Sequence, residues 1–175
     1  MGDTVQNVLP DFMEPQQQPN WCWSACATSV GLFLGTGTWT QCNTATGCIQ
    51  GTCCYQGEPL DCCATPALCN CYGYLNDSLS YTKCLLSMIG GTYSAAEIEA
   101  QINAGLPVCV RVEWNGGGAH FLAITGYSYP DGDPSDFTIY LQDSIYGSSS
   151  ILLTDFASDY ESGGTWTHTY LTQTN

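Results

Sequence analysis

The chain has 175 residues and a net charge of −14, with Lys83 and Arg111 as its only cations. That length suits one domain with a sizeable core. The shortage of bases excludes nucleic-acid binding and docking to anionic membrane surfaces, both of which depend on Lys and Arg. No apolar run reaches the length of a membrane span.

Residues 3–20 are polar, contain three prolines and read as an extended arm. Asn20 is suited to cap a following helix through its side-chain carbonyl. The helix is expected over Cys22–Leu34, where Cys22, Cys26, Ser29/Val30 and Phe33 recur at helical spacing and Gly35 is a natural stop. From Gly35 to Tyr74 the composition turns to Gly, Thr, Pro and Cys without periodicity, which predicts a loop-rich segment (about residues 36–74) held by cross-links. Leu75–Ile89 reads as a second helix ended by Gly90-Gly91.

Ser94-Ala95-Ala96-Glu97 is a capping box, and its helix should run to about Ala104 and stop at Gly105, ahead of Pro107. Pro107–Trp114 and Ala119–Tyr127 read as a hairpin turning at Asn115-Gly116-Gly117-Gly118. An acidic turn, Pro130–Asp136, leads to a strand over Phe137–Gln142. Ile151–Leu153 and Trp166–Leu171 are expected as further strands, with a helical turn at Thr154–Tyr160 between them. Helices first and an antiparallel sheet after make an α+β domain spanning the whole chain, 1–175.

Nine of the twelve cysteines crowd between Cys42 and Cys84. No pair has the C-x2-C spacing of a zinc knuckle and there are two histidines in all, so disulfides rather than a metal site are expected, and with them an oxidising, secreted or periplasmic setting. Met1-Gly2-Asp3-Thr4 has neither the basic start nor the apolar stretch of a signal peptide. Met1 and Gly2 therefore read as additions ahead of a mature exported chain. If Cys22 stays free, the remaining eleven allow at most five bridges and one leftover thiol. The doublets Cys53-Cys54 and Cys62-Cys63 are too close to pair within themselves, so each should tie two separate stretches.

Cys22 would sit in the first turn of its helix, where the positive dipole end favours a thiolate. Cys26, a turn deeper, is expected to anchor the helix to the cysteine-rich segment. Gln16, six residues before Cys22, can offer an amide N–H to an oxyanion, with Gln17 and Gln18 as neighbouring candidates. A thiol nucleophile also needs a base. His120, with glycines on one side and an apolar strand on the other, is the better candidate. His168, among threonines in Thr165-Trp166-Thr167-His168-Thr169, is expected to face solvent on an edge strand. Asp143 ends the strand after the His120 hairpin, within reach of its imidazole; Asp155 and Asp159 are less favoured. Asp131-Gly132-Asp133-Pro134-Ser135-Asp136 lacks the spacing and terminal Glu of an EF-hand loop and reads as a solvated turn. No carboxylate spacing singles out a glycosidase pair. No cofactor or metal is expected.

Gln16…Asn20-Trp21-Cys22-Trp23-Ser24-Ala25-Cys26 resembles the N-W-C-W-A-A-C signature of bacterial papain-like cysteine proteases. Gly118-Ala119-His120-Phe121…Gly126-Tyr127 looks like their histidine motif, and Asp143 like their third triad member. Gln41-Cys42, Cys62-Cys63 and Cys69-Asn70 are similar to Gln-Cys, Cys-Cys and Cys-Asn pairs in the family. The resemblance runs from about Gln16 to Gly147. It implies a papain-like fold, Cys22 as nucleophile, His120 as base, Asp143 as its orienter, Gln16 in the oxyanion hole, and a peptide or protein substrate. Ser24 stands where the family usually has Ala, and Cys48, Cys53, Cys54 and Cys71 exceed its usual complement.

The expected function is hydrolysis of peptide bonds through an acyl-enzyme. One rival keeps the triad and passes the acyl group to an amine, as in a transglutaminase, ligase or cyclase. Another is a disulfide-stapled binding or toxin module, in which Cys22 would be oxidised. The acidic surface suggests a mild preference for basic substrates.

Overall fold

The helix expected after Trp21 forms as α1, Cys22–Phe33, in a computed structural model that describes residues 3–49 and 60–175. Every residue of α1 from Cys22 to Gly31 is buried. Small side chains (Ser24, Ala25, Ala27, Ser29) let neighbours approach it from all sides, the mark of a core helix rather than an amphipathic surface helix. Its N-cap is Trp21, with no side-chain capping bond, so the expected Asn20 cap does not form. Asn20 instead bonds Asn70 twice, through its backbone N–H to Oδ1 (2.9 Å) and its side-chain amide to the carbonyl (3.3 Å). Gly35, at φ +68°, ends the helix as expected.

The stretch expected to be loop-rich contains a helix, α2, Gln41–Ile49. Its inward residues are Gln41, Thr44, Ala45 and Ile49, a half-polar stripe without an apolar period. Polar pairing replaces greasy contact: Ser24 Oγ donates to the Gln41 carbonyl at 2.7 Å, and Thr28 and Thr44 hydroxyls meet at 2.8 Å, all buried. The Ser24 hydroxyl, the departure from the usual Ala, thus ties α1 to α2.

The expected second helix is half helix, half strand. α3 covers Leu75–Tyr81; Lys83, at φ +61°, then turns the chain, and Leu85–Gly90 becomes β2. The capping box forms, with Ser94 N–H donating to Glu97 Oε2 at 2.8 Å, and opens α4, Ala95–Asn103.

Among the described residues, seven antiparallel strands form the sheet. They are β1 Thr4–Val8, β2, β3 Val108–Trp114, β4 Ala119–Pro130, β5 Thr138–Asp143, β6 Gly147–Leu152 and β7 Gly164–Thr172. Their order is β2-β7-β3-β4-β5-β6, with β1 pairing the far half of β4. The arm expected to be merely extended therefore adds a strand. A short helix, α5, Leu153–Asp159, joins β6 to β7. Strand β7 lies between β2 and β3, which corrects the expected edge position of His168; that side chain is half-buried, its Nδ1 3.0 Å from Thr167 Oγ1.

Alternation along the central strands divides the core in two. Cys109 on β3 and Phe121 and Ala123 on β4 pack with α1, α2 and α3. Val108, Val110, Val112, Leu122 and Ile124 pack on the other face with Ile98 and Ile102 of α4 and Phe156 of α5.

Two disulfides join the described cysteines, Cys42–Cys63 and Cys62–Cys69. The Cys62-Cys63 doublet thus ties two separate stretches, as expected; Cys53-Cys54 lies outside the described residues. Cys26 does not bridge to this segment: its thiol faces Cys109 of β3 at 3.8 Å.

Candidate active site

Three segments distant in sequence meet where α1 begins. Cys22 is the first residue of α1, so its side chain lies beside the amide groups that have no intrahelical acceptor. The arm fixes this end of the helix. Gln142 Oε1 accepts from the Phe12 and Met13 N–H groups (2.8 and 3.0 Å), and Gln16 N–H donates to the Ser144 carbonyl at 3.1 Å. From below, Trp21 Nε1 donates to the Cys69 carbonyl and Trp23 Nε1 to the Cys71 carbonyl. The stapled segment therefore grips both tryptophans that flank Cys22. Gly73 is required there, since a Cβ at that position would lie 2.4 Å from the Trp23 ring.

His120 is the second residue of β4, just beyond a hairpin turn in which Gly117 and Gly118 adopt φ of +93° and +86°. Asp143 is the last residue of the adjacent β5. The two side chains meet: His120 Nε2 lies 2.9 Å from Oδ1 and 2.8 Å from Oδ2. That contact occupies Nε2 and leaves Nδ1 on the other edge of the ring, and Cys22 lines the same cleft lobe as His120. Cys22, His120 and Asp143 are only 8, 2 and 4 % exposed.

Burial alone would push the His120 pKa down. The bond to Asp143, the bond to Cys22 and the charges of both outweigh it and raise the value to about 10. The Asp143 carboxyl is likewise opposed by burial, yet its bond to His120, the imidazolium charge and the N–H groups of Ile145 and Tyr146 hold it below the usual range. Those two amides reach Oδ1 at 2.7 and 3.0 Å. The chemical result is a buried carboxylate holding an imidazolium against a thiol sulfur.

Residues that sequence reasoning missed complete the enclosure. Tyr160, just after α5, donates its hydroxyl to Asp143 Oδ2 at 2.8 Å, and burial with the adjacent carboxylate raises its own pKa far above normal. Trp114 stacks near the His120 ring (centroids 6.0 Å, planes 20° apart), and Tyr146 meets it edge-on at 6.1 Å. Trp114 was visible as an aromatic opening the hairpin turn, whereas nothing near Tyr160 in the sequence marks its partner.

Of the glutamines, Gln16 is half-buried and Gln17 exposed. Gln16 Oε1 accepts from Ser144 Oγ at 2.9 Å, while its amide donates to the carbonyls of Gln18 (3.0 Å) and Pro19 (2.6 Å). Asp155 and Asp159 are exposed on α5, and Asp131–Asp136 is an exposed turn. The Cys26 thiol, bonded to Cys109 and fully buried, is pushed well above its ordinary value, and burial raises Cys84 to about 11.

A cleft crosses the top of Cys22 in two lobes. One, of about 350 Å³, is lined by Trp23, Tyr72, Tyr74, Phe121 and Arg111; the other, of about 220 Å³, by Asn20, Trp114, His120 and Tyr146. Among the described residues no cluster of His, Cys, Asp and Glu is arranged to hold a metal ion, and no helix is long and apolar enough to cross a membrane.

No curated protein matches the chain. The family model described as Peptidase_C39 like family matches residues 5–170, a span that includes Cys22, His120 and Asp143, and the chain belongs to this family of cysteine peptidases.

Proposed function

We propose that the protein is an exported, papain-like cysteine peptidase in which Cys22, His120 and Asp143 act as a catalytic triad. The observation that carries the proposal is the buried His120–Asp143 pair at 2.8 Å, whose imidazole lines the same cleft lobe as a free thiol at a helix start. Two disulfides among the described residues support an oxidising, extracellular setting.

The Cys22 thiolate attacks the carbonyl carbon of a peptide bound across the cleft, and the carbonyl π electrons move onto oxygen. The Cys22 N–H at the helix start stabilises that oxyanion. Gln16 joins it by turning one amide hydrogen from the Gln18 or Pro19 carbonyl. His120 then donates its proton to the leaving amine as the C–N bond breaks, giving an acyl-enzyme. Water enters, His120 takes its proton, and the hydroxide attacks the thioester; collapse releases the carboxylic acid and restores the Cys22–His120 pair. Asp143 fixes the ring so that the same nitrogen serves both steps. The free Cys22 thiol speaks against a purely structural stapled module, which requires that cysteine to be bridged.

The test is hydrolysis of an unfolded protein substrate by the wild type and by Cys22→Ala and His120→Ala. Both variants should lose turnover while keeping the wild-type circular-dichroism spectrum. Full activity in a folded Cys22→Ala protein would exclude the proposal.

A further inference from the structure

The larger lobe of the cleft holds one of only two cations in the chain. Arg111 stands on β3 directly opposite Phe121 of β4, so the two side chains share the sheet face that looks toward α1. Aromatic rings of Trp23, Tyr72, Tyr74 and Phe121 form the rest of the lobe with Cys22. Arg111 is three-quarters buried. Its bonds to Thr167 Oγ1 (2.8 Å) and Glu113 Oε2 (3.1 Å) both engage Nη1. Five N–H donors surround a guanidinium, so the Nη2 and Nε edge keeps donors without an acceptor among the described residues. Glu113 is 57 % exposed, and such a partner neutralises a charge weakly.

The two lobes divide a bound peptide. His120, which must reach the departing amine, lines only the smaller lobe. The chain that leaves therefore lies over His120, and the acyl half of the substrate lies in the Arg111 lobe.

We propose that Arg111 is a specificity-determining residue that selects a glutamate side chain on the acyl side of the cleaved bond. The aromatic walls take the aliphatic stem and the guanidinium edge takes the carboxylate through charge-assisted bonds. Glutamate fits better than aspartate because its longer stem spans the apolar walls. The local preference is opposite to the one that the net charge of −14 suggests, because a three-quarters-buried cation beside the nucleophile acts at contact distance while surface carboxylates are screened. The inference rests on the peptidase reading for its division of the cleft.

The experiment uses a synthetic peptide pool randomised over the residues on both sides of a central bond, with cleavage mapped by mass spectrometry. Glutamate should be favoured over glutamine on the acyl side by about tenfold in kcat/KM, and raising the salt should change this preference little, because a partly buried pair is screened weakly. Arg111→Met should abolish it by lowering kcat/KM on glutamate peptides more than on glutamine peptides, Arg111→Lys should restore part of it, and Arg111→Glu should turn it toward lysine. Glu113→Gln should sharpen it. Cys22-dependent cleavage with no glutamate preference, or equal losses on glutamate and glutamine peptides in a folded Arg111→Met variant, would overturn the proposal and leave the peptidase reading intact. If the wild type cuts nothing, the peptidase reading fails separately. Fluorescence-anisotropy titration of labelled Glu and Gln peptides then decides: equal affinities overturn the selectivity, and a glutamate advantage lost in Arg111→Met upholds it.

Discussion

Tyr160 donates its hydroxyl to Oδ2 of Asp143 at 2.8 Å, the same oxygen that His120 Nε2 reaches at 2.8 Å. With the Ile145 and Tyr146 amides on Oδ1, the carboxylate is held on both oxygens and cannot rotate without breaking a bond. Tyr160→Phe removes a buried hydrogen bond to a charged group, a loss of roughly 1.5–3 kcal/mol. The variant should unfold at lower denaturant concentration and show a raised Asp143 pKa, read as an acid limb of kcat/KM that moves upward. A limb that stays in place would mean that Tyr160 only packs.

In the proposed triad, the raised His120 and lowered Asp143 pKa values widen the active range. The imidazolium is lost only as pH rises through about 10, and the Asp143 charge is lost below the usual carboxylate range. A plot of kcat/KM against pH should therefore hold flat through neutrality and fall on the alkaline side near 10. Asp143→Asn removes the negative partner and should bring that alkaline limb toward neutral.

The same values set a stability profile. A folded-state His120 pKa above the unfolded value contributes stability that is complete below about 6.5 and vanishes as pH climbs through about 10. Depression of the Asp143 pKa contributes stability above its unfolded value, lost as pH falls through the folded one. Urea midpoints of wild type and His120→Ala should converge at the alkaline end.

Ser144 orients Gln16 by donating to its Oε1 at 2.9 Å. Gln16→Ala should lower kcat by about 100-fold or more, the scale of losing one oxyanion donor. Ser144→Ala should lower it less, with KM unchanged in both. An increase in KM alone would assign Gln16 to ground-state binding.

Cys42–Cys63 closes a loop with a sequence separation of 21, which corresponds to about 3 kcal/mol in the chain-entropy account. Cys63→Ser should lower the thermal midpoint. Because the stapled segment also grips Trp21 and Trp23, the midpoint for loss of activity should fall with it.

Local signals carried the legible part of this fold. The stop at Gly35, the Ser94–Glu97 capping box and the hairpin at Gly117-Gly118 each rest on a few adjacent residues, and His120 and Asp143 follow from the hairpin and the strand beside it. What stayed hidden depends on distant partners. Helix α2 buries Gln41 and Thr44 against polar groups of α1, so no apolar period announces it. Leu85–Gly90 could continue a helix until β7 supplies a ladder, and the same pairing moves His168 off the edge. Asn20 bonds Asn70, fifty residues away, instead of capping α1. Tyr160 meets Asp143 only once α5 has carried the chain back to β7.

The central claim is that Cys22 is the nucleophile and is held as a free thiol. Iodoacetamide treatment under non-reducing conditions, with the modified residue mapped by mass spectrometry and activity followed in parallel, tests it most directly. One label on Cys22 should appear in step with the loss of peptidase activity, leaving the buried Cys26 and Cys84 thiols unmodified. Activity that survives full labelling of Cys22, or a Cys22 found in a disulfide in the active protein, would contradict the account.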